Sequence, residues 1–149
     1  MKIKTLDRRK VYATLAAGAA AVGLLLGGAT PANAAPAHQN TDPYNTGCAQ
    51  SKSLVSSHNR MGGTLSVWQS SACGTNWTEW YGPNMHVVKN LHTSSGTIVN
   101  GGWTDPQYDT APWSYSMQTY APGTSAIAGT FVFDGNPVWF TCSTGCTWS

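Results

Sequence analysis

Hydrophobic and polar residues alternate along Thr64-Leu-Ser-Val-Trp-Gln-Ser70, with Leu65 and Val67 on one side and Ser66 and Trp68 on the other. That period of two predicts a strand with one face on a core. The next run puts Trp77, Glu79 and Tyr81 on one face and Asn76, Thr78 and Trp80 on the other, and Gly82-Pro83-Asn84 closes it. We assign Trp77 and Tyr81 inward, beside Leu65 and Val67, and Trp80 outward, next to Trp68. Further strands are predicted at 86–92, 97–100 and 115–120, each bounded by Gly, Pro, Asn or Ser. Residues 126–133 and 138–142 flank Asp134-Gly-Asn-Pro137, the clearest hairpin signal in the chain. Leu54-Val55 fits a short strand or a single helical turn. Beyond the first 34 residues no long segment has a helical period, so the expected fold is all-β: a small antiparallel sandwich or barrel of six to eight short strands.

The first residues follow a different logic. Lys2, Lys4, Arg8, Arg9 and Lys10 precede an apolar run from Val11 to Gly28, and Ala32-Asn33-Ala34 supplies small residues at a signal-peptidase spacing. Residues 1–34 are therefore expected to be a signal peptide cleaved after Ala34, rather than a retained anchor, and the product to be extracellular. Arg8-Arg9 also fits the twin-arginine export route. Residues 35–46, polar and with two prolines, are expected to be a flexible lead-in, and 47–149 a single β domain.

Export changes the charge. Cleavage leaves Lys52, Arg60 and Lys89 against five acidic side chains, a net charge of −2. Three scattered cations cannot form a phosphate-binding surface, which argues against nucleic acid. Cys48, Cys73, Cys142 and Cys146 form an even set in an exported chain and imply two disulfides. Three pairings satisfy the count. We favour Cys48 with Cys73 and Cys142 with Cys146, because each pair brackets a turn-rich segment; the chain-entropy model gives about 3–4 and about 2 kcal/mol. Oxidised cysteines remove the thiolates a zinc site needs, and neither a metal nor a cofactor is expected.

Candidate chemistry is sparse. No Gly-x-Ser-x-Gly elbow occurs, and nothing aligns His58, His86 or His92 with a nucleophile. Glu79, between two tryptophans, could pair with an aspartate as a glycosidase acid, but is expected instead to be an exposed strand residue with the tryptophans turned inward. His86 and His92 would stand about 20 Å apart on one strand, too far for one metal ion. Asp105-Pro-Gln-Tyr-Asp109 lacks the acidic spacing of a calcium loop and reads as a turn.

The aromatic content is the sharper feature. Seven Trp and three Phe, with five Tyr after the signal, exceed what a small core needs. Exposed Trp and Tyr offer rigid apolar faces with a polar edge. Trp68, Trp80, Trp103 and Trp113, in polar surroundings, are the candidate binding residues; Trp148 shares such surroundings, whereas Trp139 lies in an apolar run and is assigned to the core.

Thr46-Gly-Cys48 followed by Gly63-Thr-Leu-Ser-Val-Trp-Gln-Ser-Ser-Ala-Cys-Gly-Thr-Asn-Trp77 resembles a family of small exported actinobacterial and bacillar proteins known only as a domain of unknown function. Ser70, Cys73 and Trp77 match its Ser-x-x-Cys-x-x-x-Trp signature, and the segment 115–125 is weakly similar to a later one. Trp68-Gln69 stands where an Arg-Tyr-like pair is usual, and the Cys142–Cys146 end has no counterpart. The resemblance implies an exported, disulfide-bonded β module and no activity.

Together these readings predict a secreted, monomeric, non-catalytic module that binds a cell-wall glycan or another extracellular polymer or protein, with no membrane association after cleavage. The alternatives are a secreted protease inhibitor or antimicrobial protein acting through the loop Gly101–Pro112, and a small hydrolase.

Overall fold

A computed structural model describes residues 36–93 and 103–149. The signal-peptide assignment and the strand expected at 97–100 lie outside the described residues. Eight strands form one antiparallel sheet: β1 Lys52–Arg60, β2 Gly63–Ser70, β3 Thr75–Thr93, β4 Gln107–Tyr115, β5 Thr119–Tyr120, β6 Ile127–Phe133, β7 Asn136–Cys142 and β8 Cys146–Trp148. The order β1-β2-β3-β6-β7-β8 curls until β8 approaches β1, where Trp148 Nε1 donates to Ser56 Oγ at 3.1 Å and the Trp148 ring stacks on His58. The sheet is thus nearly closed into a barrel, the all-β architecture the alternation predicts. Among the described residues no helix is long and apolar enough to cross a membrane.

Two hairpins rest on two-residue turns with both central φ values positive, Met61-Gly62 (53° and 77°) and Asp134-Gly135 (45° and 84°). This is the twist that suits adjacent antiparallel strands, and Asp-Gly announces it in the sequence. β3 is the organising strand. Its first half pairs with β2, its second half with β6, and β4 runs beside both. At Gly82-Pro83-Asn84 the register slips: Tyr81 faces Trp113, whereas Met85 faces Ala111. That irregularity reverses which parity points inward. Before it Thr78 and Trp80 are buried with Leu65 and Val67; after it Val87, Lys89 and Leu91 are buried with Phe131 and Phe133.

The four-residue connection Ser71–Gly74 sets Ser70 opposite Thr75, and so Val67 opposite Thr78 and Leu65 opposite Trp80. Direct cross-strand partners share a face, so Trp80 belongs to the core and Trp77 and Tyr81 to the other side, the reverse of the sequence assignment. Trp80 is completely buried, meets Phe133 edge-on, and donates from Nε1 to Pro83 O at 3.3 Å. Its six-membered ring lies against Gly63 and Gly82, where a Cβ on Gly63 would fall 2.6 Å from Tyr81 O and 2.7 Å from the Gly82 Cα. Gly129 does the same for Phe140, its cross-strand partner.

The disulfides are Cys48–Cys73 and Cys142–Cys146, the favoured pairing. The segment expected to be a flexible lead-in is held instead. Buried Gln118 accepts from Thr75 Oγ1 at 2.6 Å and donates to Thr41 Oγ1 and Thr46 Oγ1, both at 2.9 Å. Gln39 Oε1 accepts from Tyr120 N, and Asn40 and Asp105 exchange two hydrogen bonds of 2.7 Å. Side-chain amides and backbone hydrogen bonds, joined by the Tyr44 ring, dock residues 39–46, and most of these partners are polar, which is why polarity alone suggested a free segment.

Candidate binding face

The registers lay out the outward face of β2, β3 and β4 in rows: Trp68 beside Trp77; Ser66, Glu79 and Tyr115; Thr64, Tyr81 and Trp113. The docked segment covers one end of this face. Trp77 is consequently buried although it points away from the core, and its Nε1 donates to Glu79 Oε1 at 2.9 Å. The same oxygen accepts from Tyr44 OH at 2.6 Å and Lys52 Nζ at 3.0 Å. Lys52 also sits 4.3 Å from the centre of the Trp68 ring, a cation–π contact beneath which Trp68 is half-buried. Asp42 Oδ1 accepts from the Tyr44 and Asn45 amides, and Oδ2 from Tyr115 OH at 3.1 Å. Burial first, then the hydrogen bond to Glu79, holds the Tyr44 hydroxyl protonated well above the ordinary tyrosine range; burial and Asp42 raise Tyr115 in the same way.

The other end is open. Tyr81 is 71% and Trp113 42% exposed, and Trp113 meets Tyr44 edge-on at 5.3 Å and Tyr115 at 5.1 Å. Tyr44 and Tyr115 close the group at 4.7 Å. Beside it opens a cleft of about 190 Å³ lined by Asp42, Gln107, Asp109, Trp113, Tyr115 and Met117. The result is an aromatic shelf bordered by hydrogen-bonding groups. It can receive an apolar ring face while amide and carboxylate groups meet hydroxyls at its edge.

Of the four candidate binding residues, Trp113 is at the centre of this shelf. Trp68 lies under its covered end. Trp80 is removed from any surface by the register that places it against Leu65. Trp103 is exposed but elsewhere: at the far end of β3 it packs against His92 at 4.2 Å and Trp139 at 6.4 Å. Trp139, assigned to the core from its apolar neighbours, is 50% exposed because Val138 and Phe140 occupy the inward positions of β7. Trp148 is partly buried against the core. Sequence reasoning missed Tyr81, Tyr44 and Tyr115. Tyr81 carried a usable signal, its place at the end of an alternating run, but the inverted parity hid it.

The catalytic alternatives find little here. Glu79 is buried with Oε1 shared among Tyr44, Lys52 and Trp77. His38 approaches Cys48 and Cys73, but both sulfurs are in the disulfide and cannot act as thiolate ligands. Asp105 and Asp109 do not converge on a calcium site: Asp105 binds Asn40, and Asp109 binds Lys89. Gln107–Pro112, half of the loop suggested for inhibition, is strand paired with β3. No family model, curated protein or solved structure matches the chain.

Proposed function

We propose that the protein is an exported, non-catalytic binding module whose aromatic shelf takes an extended glycan, in the cell wall or another extracellular polymer. The observation that carries this reading is the Tyr81–Trp113 cross-strand pair, two large rings left exposed on a rigid sheet and backed by Tyr44 and Tyr115. A sheet holds such rings in place before the ligand arrives, so little conformational entropy is lost on binding. The two disulfides and a nearly uncharged exterior support an extracellular setting. The polar edge of Asp42 and Gln107 suits sugar hydroxyls better than an apolar partner.

The test is co-sedimentation of the mature protein with insoluble peptidoglycan, chitin and cellulose. Truncating a central aromatic anchor removes about 2 kcal/mol, close to thirtyfold in affinity. Trp113→Ala and Tyr81→Ala should each weaken pull-down to that extent while remaining folded at the assay temperature. Wild-type protein that stays in the supernatant with all three polymers overturns the glycan reading.

A further inference from the structure

Lys89 is the least expected side chain in the core. It lies in the second half of β3 between Val87 and Leu91, opposite Phe131 of β6 and Gln107 of β4, and is completely buried. A chain with so few ionic groups has placed one where desolvation costs most. Its Nζ donates to Val87 O at 3.1 Å and to Asp109 Oδ2 at 2.9 Å. An ammonium has three N–H donors and a neutral amine two plus a lone pair. Burial pushes the Lys89 amine below the ordinary lysine range, with Asp109 opposing the shift.

Asp109 stands on β4 directly opposite Val87, so its carboxyl reaches Lys89 diagonally across the strand pair. The carboxyl group is partly exposed and opens on the cleft shared with Asp42 and Tyr115. A fully buried amine is therefore held in contact with a carboxyl group that is itself partly exposed to solvent.

We propose that Lys89 and Asp109 condense into an intramolecular isopeptide bond that staples β3 to β4. Proton transfer within the pair first gives a neutral amine and a carboxylic acid. The Nζ lone pair attacks Cγ, forming the N–C bond; the C–O bond to one carboxyl oxygen then breaks, and that oxygen leaves as water with one proton from nitrogen and one from the acid. Atoms and charge balance, and no oxidant, metal or external reactant is required. The cleft that Asp109 and Tyr115 both line gives the departing water a route to solvent. Amide formation in water is disfavoured for separate partners. Groups held in contact by a fold can reach an effective concentration of about 10⁵–10⁸ M, which favours the condensation.

The test is mass spectrometry of the wild-type protein. Intact mass, after allowance for two disulfides, should be lower by one water. Denatured, reduced protein should resist trypsin after Lys89, and chymotrypsin, which can cut between the two residues at Trp103, should release a branched peptide joining the segments that contain Lys89 and Asp109. Lys89→Arg and Asp109→Ala should have full mass. Wild-type protein of full mass with ordinary cleavage after Lys89 overturns the proposal, as does a water loss without the branched peptide. Because the wild-type mass and digest decide the question, a variant that fails to fold does not obscure it.

Discussion

Trp80 and Trp113 provide the clearest test of how this sheet divides its aromatics. Trp80 is completely buried, edge-on to Phe133 and fitted against Gly63 and Gly82; Trp113 is exposed beside Tyr81. Truncating a buried tryptophan to alanine costs about 3–5 kcal/mol, the lost transfer energy plus the cavity. The Pro83 carbonyl also loses its donor. At roughly 3–6 °C per kcal/mol for a domain of this size, Trp80→Ala should melt about 10–30 °C below wild type. Trp113→Ala loses its contacts with Tyr44 and Tyr115, worth about 1 kcal/mol beyond the ring area they cover, and leaves the core intact, so it should melt higher than Trp80→Ala. Scanning calorimetry of both variants, with pull-down at a temperature where each is folded, reads the two effects apart. Trp80→Ala should keep the binding that Trp113→Ala loses. A Trp80→Ala protein that melts within about 5 °C of wild type, or that loses binding while folded, would refute the division of roles.

Other outcomes rest on the packing and the buried hydroxyls. Gly63→Ala must displace the Trp80 ring or the Tyr81–Gly82 backbone, and should cost about 1–3 kcal/mol in a urea melt, whereas Gly123→Ala, whose added Cβ meets no neighbour, should cost less despite its positive φ. Replacing Cys48 and Cys73 by alanine should lower stability by about 3–4 kcal/mol and release the docked segment, seen as faster amide exchange at residues 39–46. Tyr44 and Tyr115 have raised pKa values in the folded state, so the unfolded chain loses those protons first. Their contribution is full below the unfolded value of about 10 and falls as pH rises above it; urea midpoints should drop there, and less steeply in Tyr44→Phe. An equal drop in that variant would remove Tyr44 from the explanation.

The class of fold was legible in the amino-acid order. Alternation at 64–70, the largely apolar run at 126–133, the Asp134-Gly135 turn and the absence of a helical period suffice for an antiparallel all-β domain, because strand period and turn chemistry are local properties. The even cysteine count and the turn-rich segments between partners pointed to the disulfides found. Which face of each strand looks inward was settled only by the three-dimensional pairing. Parity within 75–81 is legible, but its direction depends on the length of the Ser71–Gly74 connection and the pairing it imposes, and one residue of slip exchanges Trp80 for Tyr81. The register break at Gly82-Pro83-Asn84 then inverts parity again and brings Lys89 inside, within reach of Asp109, a meeting between strands that no local pattern encodes. The docking of residues 39–46 was likewise hidden, since Gln118 and Gln39 hold it through partners more than 70 positions away. Local chemistry fixes the strands; long-range pairing decides which side chains become core, shelf and staple.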